Sequence, residues 1–294
     1  MKRLIVMPNS LSNHGCVHGT VSTSVFPDGE TAVMVPHIPN SDDVVLVGEC
    51  STAVASEMFL AAAYEIASRG PKSFTVVNTY FRHARSERED GKWAAMAKFQ
   101  ARQWSGLGRI YPGVRLEFID LHKDIIRYYF EGAVVTYNHG VRDVLEKAVM
   151  VNEDIARGSC VYATVDDGGV YEAKRLAEEA GVGFAHVEKK RLSGSETKVL
   201  NVHGDSVDGK TVVIFDDVIS TGGSMVKAIQ EYRDRGAKCV IAAATHGVFV
   251  GDAIDCMIEA GIRKIYVTDS HPNAIKMSFD DTEVLHLCPL NVTV

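Results

Sequence analysis

The chain has 294 residues, 46% hydrophobic and 23% charged, which is enough apolar material for two modest cores. Lys and Arg number 31 against 38 Asp and Glu, a net charge of −7, which argues against a general nucleic-acid binder; anionic small substrates stay open, because local groups hold those. No apolar run approaches the roughly 18 residues of a membrane span, and the run near the start is too short for a signal-peptide core, so no membrane association is expected.

In chain order, short apolar runs predict strands at Leu4–Met7, Val44–Val47, Phe74–Tyr80, Leu116–Leu121, Val161–Val165, Phe184–Glu188, Thr211–Asp217, Val240–His246, Ile265–Asp269 and Val284–Cys288. Helical patterns fall between them at Thr52–Ser68, Lys92–Gln103, Val141–Ile155, Val170–Ala180, Gly223–Arg235 and Asp252–Ala260. This alternation predicts the α/β class, with mainly parallel sheets flanked by helices. The rhythm lapses at Glu131–Gly140, and the polar stretch Ser193–Asp208 reads as a mobile loop or a hairpin. The simplest division is two domains, 1–145 and 146–294. The six cysteines, Cys16, Cys50, Cys160, Cys239, Cys256 and Cys288, form no C-x-x-C pair, which points to a reducing cytoplasm rather than to zinc or thioredoxin chemistry.

The strongest local signal is Val212–Ser224, VVIFDDVISTGGS. An apolar strand ends in two acids, and a short Gly-Gly loop then opens a helix. Glycines let the backbone approach a ligand, successive N–H groups make an anion nest, and the helix N-terminus adds its dipole. The hydroxyls of Ser220, Thr221 and Ser224, with Gly222 and Gly223, suit a phosphate. Asp216 and Asp217 stand where they can accept from sugar hydroxyls or help hold a metal. The string resembles the phosphoribosyl-pyrophosphate loop shared by type I phosphoribosyltransferases and ribose-phosphate diphosphokinases.

Further motifs resemble the diphosphokinases in collinear order. Phe26–Glu30, FPDGE, is similar to the family's adenine-receiving segment, implying ATP contacts for Phe26, Asp28 and Glu30, often across a subunit boundary. In Tyr80–Arg88, YFRHARSER, Arg85 and Arg88 match the arginines that hold the ATP phosphates, while Ser86 and Glu87 stand where the family has Gln and Asp. The resemblance implies Mg²⁺ binding by His122 of DLH and by Asp166 of VDDGGVYEA. In that second motif Val165 replaces Pro and Glu172 replaces a basic residue. Lys189 and Arg191 of EKKR match the two basic positions that approach the transferring group. His246, in ATHGVFVGDA, gets no chemical role, and neither do His14, His18 and His83. Trp93 and Trp104 are read as core or as a platform for a larger substrate.

The resemblance implies two phosphoribosyltransferase-like domains, the ATP side in 1–145 and the ribose-phosphate loop in 146–294, with the active site between them in a homo-oligomer. It implies Mg²⁺-dependent transfer of diphosphate from ATP to ribose 5-phosphate, giving phosphoribosyl pyrophosphate and AMP. Three rivals stand beside it. One is the same transfer onto a 5′-substituted ribose such as ADP-ribose, serving NAD metabolism. The others are a phosphoribosyltransferase, which would leave FPDGE, DLH and the paired arginines idle, and a non-catalytic regulatory homologue.

Overall fold

The runs TVVIF and CVIAAA are apolar at every position because their strands are covered on both faces. In the strand Thr211–Ile219, Val212, Val213, Ile214 and Phe215 are all buried. Val212 and Ile214 join Val240, Ala242, Ile265 and Val267 in one core, which the helices Gly223–Asp234 and Ala253–Glu259 cover. Val213 and Phe215 join Tyr162, Ile241, Ala243 and Tyr266 in a second core on the opposite face, under the helices Arg142–Asn152 and Val170–Ala180. One strand thus serves two cores by its period of two.

The computed structural model describes residues 1–8, 10, 17–89, 91–193, 196–280 and 283–290, with the backbone alone for 189–193, 196–200 and Asp280. His14 and Cys16 lie outside the described residues. The chain divides into two compact units. Met1–Gly140 is joined by Ser270–Pro272 and the segment from Pro289, and the second unit comprises Val141–Asp269 and Asn273–Cys288.

The first unit holds a six-stranded parallel sheet in the order Gly19–Thr20, Lys2–Val6, Asp43–Gly48, Ser73–Asn78, Val114–Ile119, Val134–His139. The helix Ala53–Ser68 starts where the Thr52 side chain accepts from Ala55 N at 3.0 Å. It buries Met58, Phe59, Ala62, Ala63 and Ile66, a helical stripe. Phe59 meets Trp104 edge-to-face at 5.0 Å, so Trp104 is core. A separate antiparallel pair, Ser22–Val25 with Thr31–Met34, carries FPDGE at its turn.

The second unit holds a seven-stranded sheet in the order Glu196–Gly204, Gly183–Ser193, Cys160–Thr164, Thr211–Ile219, Cys239–Gly247, Lys264–Thr268, Leu285–Cys288. The first pair is antiparallel and the rest are parallel.

Two local expectations change, and one left open is decided. The lapse at Glu131–Gly140 conceals the edge strand Val134–His139, whose residues alternate between half-buried and exposed, so it lacks a continuous apolar run. Its outer positions are polar contacts instead: Arg115 lies 4.6 Å over the Tyr137 ring, and His139 Nε2 is 3.1 Å from Glu117 Oε2. The helix expected from Lys92 begins only at Met96, with Ala95 as its N-cap, where Ser86 receives its first N–H groups. The Ser86 carbonyl accepts from Ala97 N at 3.1 Å and its hydroxyl from Met96 N at 3.4 Å. Of the two readings for Ser193–Asp208, the hairpin holds, with strand Glu196–Gly204 paired to Gly183–Ser193.

Candidate active site

In the second unit, Asp216 and Asp217 fall near the carboxyl end of the strand Thr211–Ile219, and the loop of Ser220 and Thr221 follows. The helix Gly223–Asp234 then begins behind Gly222, whose φ is +75°. A side chain at Gly222 would put its Cβ 3.1 Å from the Ala253 carbonyl oxygen, so both the dihedral and the space call for glycine. Val250 N donates to the Ser220 carbonyl at 2.9 Å, tying the loop to the segment after the next strand. Thr221, Gly223 and Ser224 are exposed. The result is an open backbone turn on a helix N-terminus, with hydroxyls at its rim, which is an anion cradle.

Beside the cradle is concentrated negative charge. Asp217 N donates to Asp216 Oδ1 at 2.9 Å. Burial, then the Asp217 charge, and further the Asp166 charge push the Asp216 carboxyl well above the usual carboxylate range. Asp166, just beyond the neighbouring strand Cys160–Thr164, accepts from Gly168 N at 2.9 Å and so caps the short turn Asp167–Gly169. Thr164 positions that turn, a role the sequence reading missed. Its hydroxyl donates to the Asp166 carbonyl at 2.8 Å, while its own carbonyl accepts from the buried Tyr232 hydroxyl at 3.0 Å. The available signal was its place as the last polar residue before the acidic Gly-Gly turn.

Oxygen donors of this kind suit a hard cation such as Mg²⁺, which keeps several waters and needs few protein ligands. Among the described residues no three His, Cys, Asp or Glu side chains form a ready ligand set. Glu172, where the family carries a base, is balanced locally. Arg175 donates to Glu172 at 3.1 Å, to Glu179 at 2.7 Å and to Asp143 at 3.1 Å.

Lys189 and Arg191 sit on the strand Gly183–Ser193, opposite Val199 and Thr197, with a break in register between Glu188 and Lys189. Their side chains lie outside what is described. Behind them on the same hairpin, His203 Nε2 is 2.8 Å from Glu188 Oε2, and His186 stacks on His203 at 5.3 Å.

In the first unit, Phe26, Asp28 and Glu30 form the exposed tip of the hairpin. Phe26 N donates to the Glu30 carbonyl at 2.8 Å, Glu30 N donates to Asp28 Oδ1 at 3.1 Å, and Gly29 takes a φ of +91°. Arg85 and Arg88 are exposed, and Arg88 is paired with Glu87 at 3.5 Å. His122 is half-buried beyond the strand Val114–Ile119. The adjacent turn is held by Asn138, whose Oδ1 accepts from Leu121 N at 2.9 Å. His246 is buried at the end of the strand Cys239–Gly247. Trp93 is 76% exposed.

The family profile of the phosphoribosyl transferase domain matches residues 136–253. The chain is 30% identical over 257 residues to a ribose-phosphate pyrophosphokinase of Thermotoga maritima, covering 86% of this chain and 79% of the relative. A ribose-phosphate pyrophosphokinase of Helicobacter hepaticus is 31% identical over 272 residues, covering 90% and 83%. The crystal structure of phosphoribosylpyrophosphate synthetase from Mycobacterium smegmatis superposes with a TM-score of 0.77 at 24% identity, covering 97% of this chain and 93% of that one; the two share a fold. Among the described residues no helix is long and apolar enough to cross a membrane.

Proposed function

Because the chain belongs to the ribose-phosphate pyrophosphokinase family, we propose that it transfers diphosphate from ATP to the anomeric hydroxyl of ribose 5-phosphate. The single observation that carries this reading is the juxtaposition of an anion cradle, Ser220–Ser224, with the acids Asp216, Asp217 and Asp166.

The hydroxyl oxygen forms a bond to the β-phosphorus. The bond from that phosphorus to the α–β bridging oxygen breaks, and AMP leaves with the electron pair. The hydroxyl proton passes to solvent. Such a transfer needs alignment and charge neutralisation more than covalent help. Backbone N–H groups and the hydroxyls of Ser220, Thr221 and Ser224 hold the 5-phosphate, and Gly222 and Gly223 let it come close. Asp216 and Asp217 accept from the ribose hydroxyls, which orients the anomeric carbon. Arg85 and Arg88 grip the triphosphate, and Phe26, Asp28 and Glu30 receive the adenine of a neighbouring protomer's ATP in a homo-oligomer. Lys189 and Arg191 stabilise charge on the bridging oxygen as it departs. Asp166 and His122 would hold Mg²⁺, which when bound supplies charge neutralisation on the phosphates. The carboxylate crowding that raises the Asp216 proton affinity is the kind of field a divalent cation relieves.

The test is an acceptor screen of the purified chain with ATP and MgCl₂, following AMP release. AMP with ribose 5-phosphate supports the reading. AMP that appears only with ADP-ribose would replace the acceptor, and no AMP with either would remove the activity.

A further inference from the structure

The first unit carries a cleft of about 570 Å³ between the helices Ala53–Ser68 and Met96–Ser105, lined by none of the residues given a role above. It is of a size that suits a small molecule. Its two ends differ in chemistry. At one end the first residues of both helices, Ala53 and Met96, line the cleft together with Arg82 and His83. Neither helix has an acidic residue in its first turn, so both N-terminal dipoles point their positive ends there unopposed. His83 stands in the left-handed region at φ +65°, and desolvation, then the Arg82 charge, lowers its pKa. The one carboxylate on the wall, Glu57, already accepts from the Thr31 hydroxyl at 3.0 Å.

Further along, Leu60 and Phe99 form an apolar wall, and Phe99 is 53% exposed in a helix that buries its other ring, Trp104. Gln100 also lines the cleft. It is 2% exposed, and its Oε1 has no hydrogen-bond partner among the described residues, although Nε2 donates to Ser56 Oγ at 3.3 Å. A buried acceptor left open beside a cavity is costly unless something arrives to donate to it.

We propose that this cleft is a second ligand site, distinct from the phosphate loop, for a phosphomonoester carrying a planar ring. The phosphate sits between Arg82 and the start of the helix Ala53–Ser68, where a guanidinium fork and the first N–H groups match its oxygens; the first N–H groups of the other helix are already held by Ser86, so that helix adds only its dipole. The ring lies against Phe99 and Leu60. A donor on the ring body reaches Gln100 Oε1. A dianion fits better than a neutral guest because the Arg82 charge and two helix dipoles converge at one end. A ring fits better than a bare anion because the wall beyond is apolar.

The test is isothermal titration of the full chain with phenyl phosphate, with inorganic phosphate as the ringless control. Two variants assign the heat: Arg82→Gln, which removes the fork, and Ala61→Trp, which fills the cleft from its exposed rim. Thermal melts confirm that both fold. Phenyl phosphate is expected to bind the native chain at least about tenfold tighter than inorganic phosphate, and each variant to lose about tenfold or more in affinity. Heat that survives both variants belongs to the phosphate loop and overturns the cleft assignment. Absence of heat with the native chain overturns it as well, and equal binding of inorganic phosphate overturns the ring requirement.

Discussion

The backbone N–H of Asp217 donates to Asp216 Oδ1 at 2.9 Å, so the first acid of the pair is held by the chain of the second. Burial and the charges of Asp217 and Asp166 raise the Asp216 pKa well above the ordinary range. Between the ordinary carboxylate range and that raised value, the folded chain binds more protons than the unfolded one. Stability therefore falls as pH rises through that window. Asp216→Asn is expected to melt higher than the native chain near pH 8 and to lose the advantage below about pH 3, where the native carboxyl is protonated in both states. Calorimetric melts across that range check it; a variant that melts lower near pH 8 would refute the account.

The same crowding predicts a metal response that needs no turnover. MgCl₂ should raise the melting temperature of the native chain, because a cation bound only by the folded state stabilises it by about 2.7 kcal/mol at one hundred times Kd. A double variant, Asp166→Asn with Asp216→Asn, should lose most of that rise. An equal rise in both proteins would place the cation elsewhere.

Gly222→Ala forces a side chain into a φ of +75° with its Cβ 3.1 Å from the Ala253 carbonyl. The expected loss is about 1–2 kcal/mol from the left-handed backbone alone. Ribose 5-phosphate affinity should fall with it, since the cradle opens at that residue. Chemical denaturation and equilibrium binding measure the two effects separately.

Lys189→Ala should lower turnover by about 10²–10³ with little change in melting temperature, by analogy with the loss of one oxyanion donor. The strand that carries it pairs on through Lys189↔Val199 by its backbone, which the substitution leaves in place. Single-turnover AMP release is the readout, and an unchanged rate would take Lys189 out of the chemistry.

Phe59→Ala removes a fully buried ring that meets Trp104 edge-to-face at 5.0 Å. The expected cost is about 3–5 kcal/mol. A double-mutant cycle with Trp104→Leu should show about 0.5–1.5 kcal/mol of coupling between the rings.

The central strands were legible because burial on both faces writes an uninterrupted apolar run, as in VVIF at 212–215. The edge strand Val134–His139 was not, because one covered face and polar neighbours leave only weak alternation. The start of the helix at Met96 was not legible either, since Ser86, which holds its first N–H group, lies ten residues earlier and beyond the reach of local pattern. In the site, the Gly-Gly loop and its acids announced themselves, because an anion cradle needs those residue types in contiguous order. Thr164 and the Arg175 network did not, because their meaning lies in partners distant along the chain, Tyr232 and Asp143. The cleft at Arg82 was hidden for the same reason, as its walls come from three separate segments.

The strand Gly183–Ser193 pairs with Cys160–Thr164 only over Gly183–His186; beyond His186 its described ladder runs with Glu196–Gly204 alone. The two basic residues thus ride on a cantilever, rooted in the sheet at one end and paired with a single strand at the other. Such an arm can be lengthened, shortened or rewritten in evolution without disturbing the packed interior. Divergence among relatives in rate and acceptor choice is therefore expected to concentrate in its outer half.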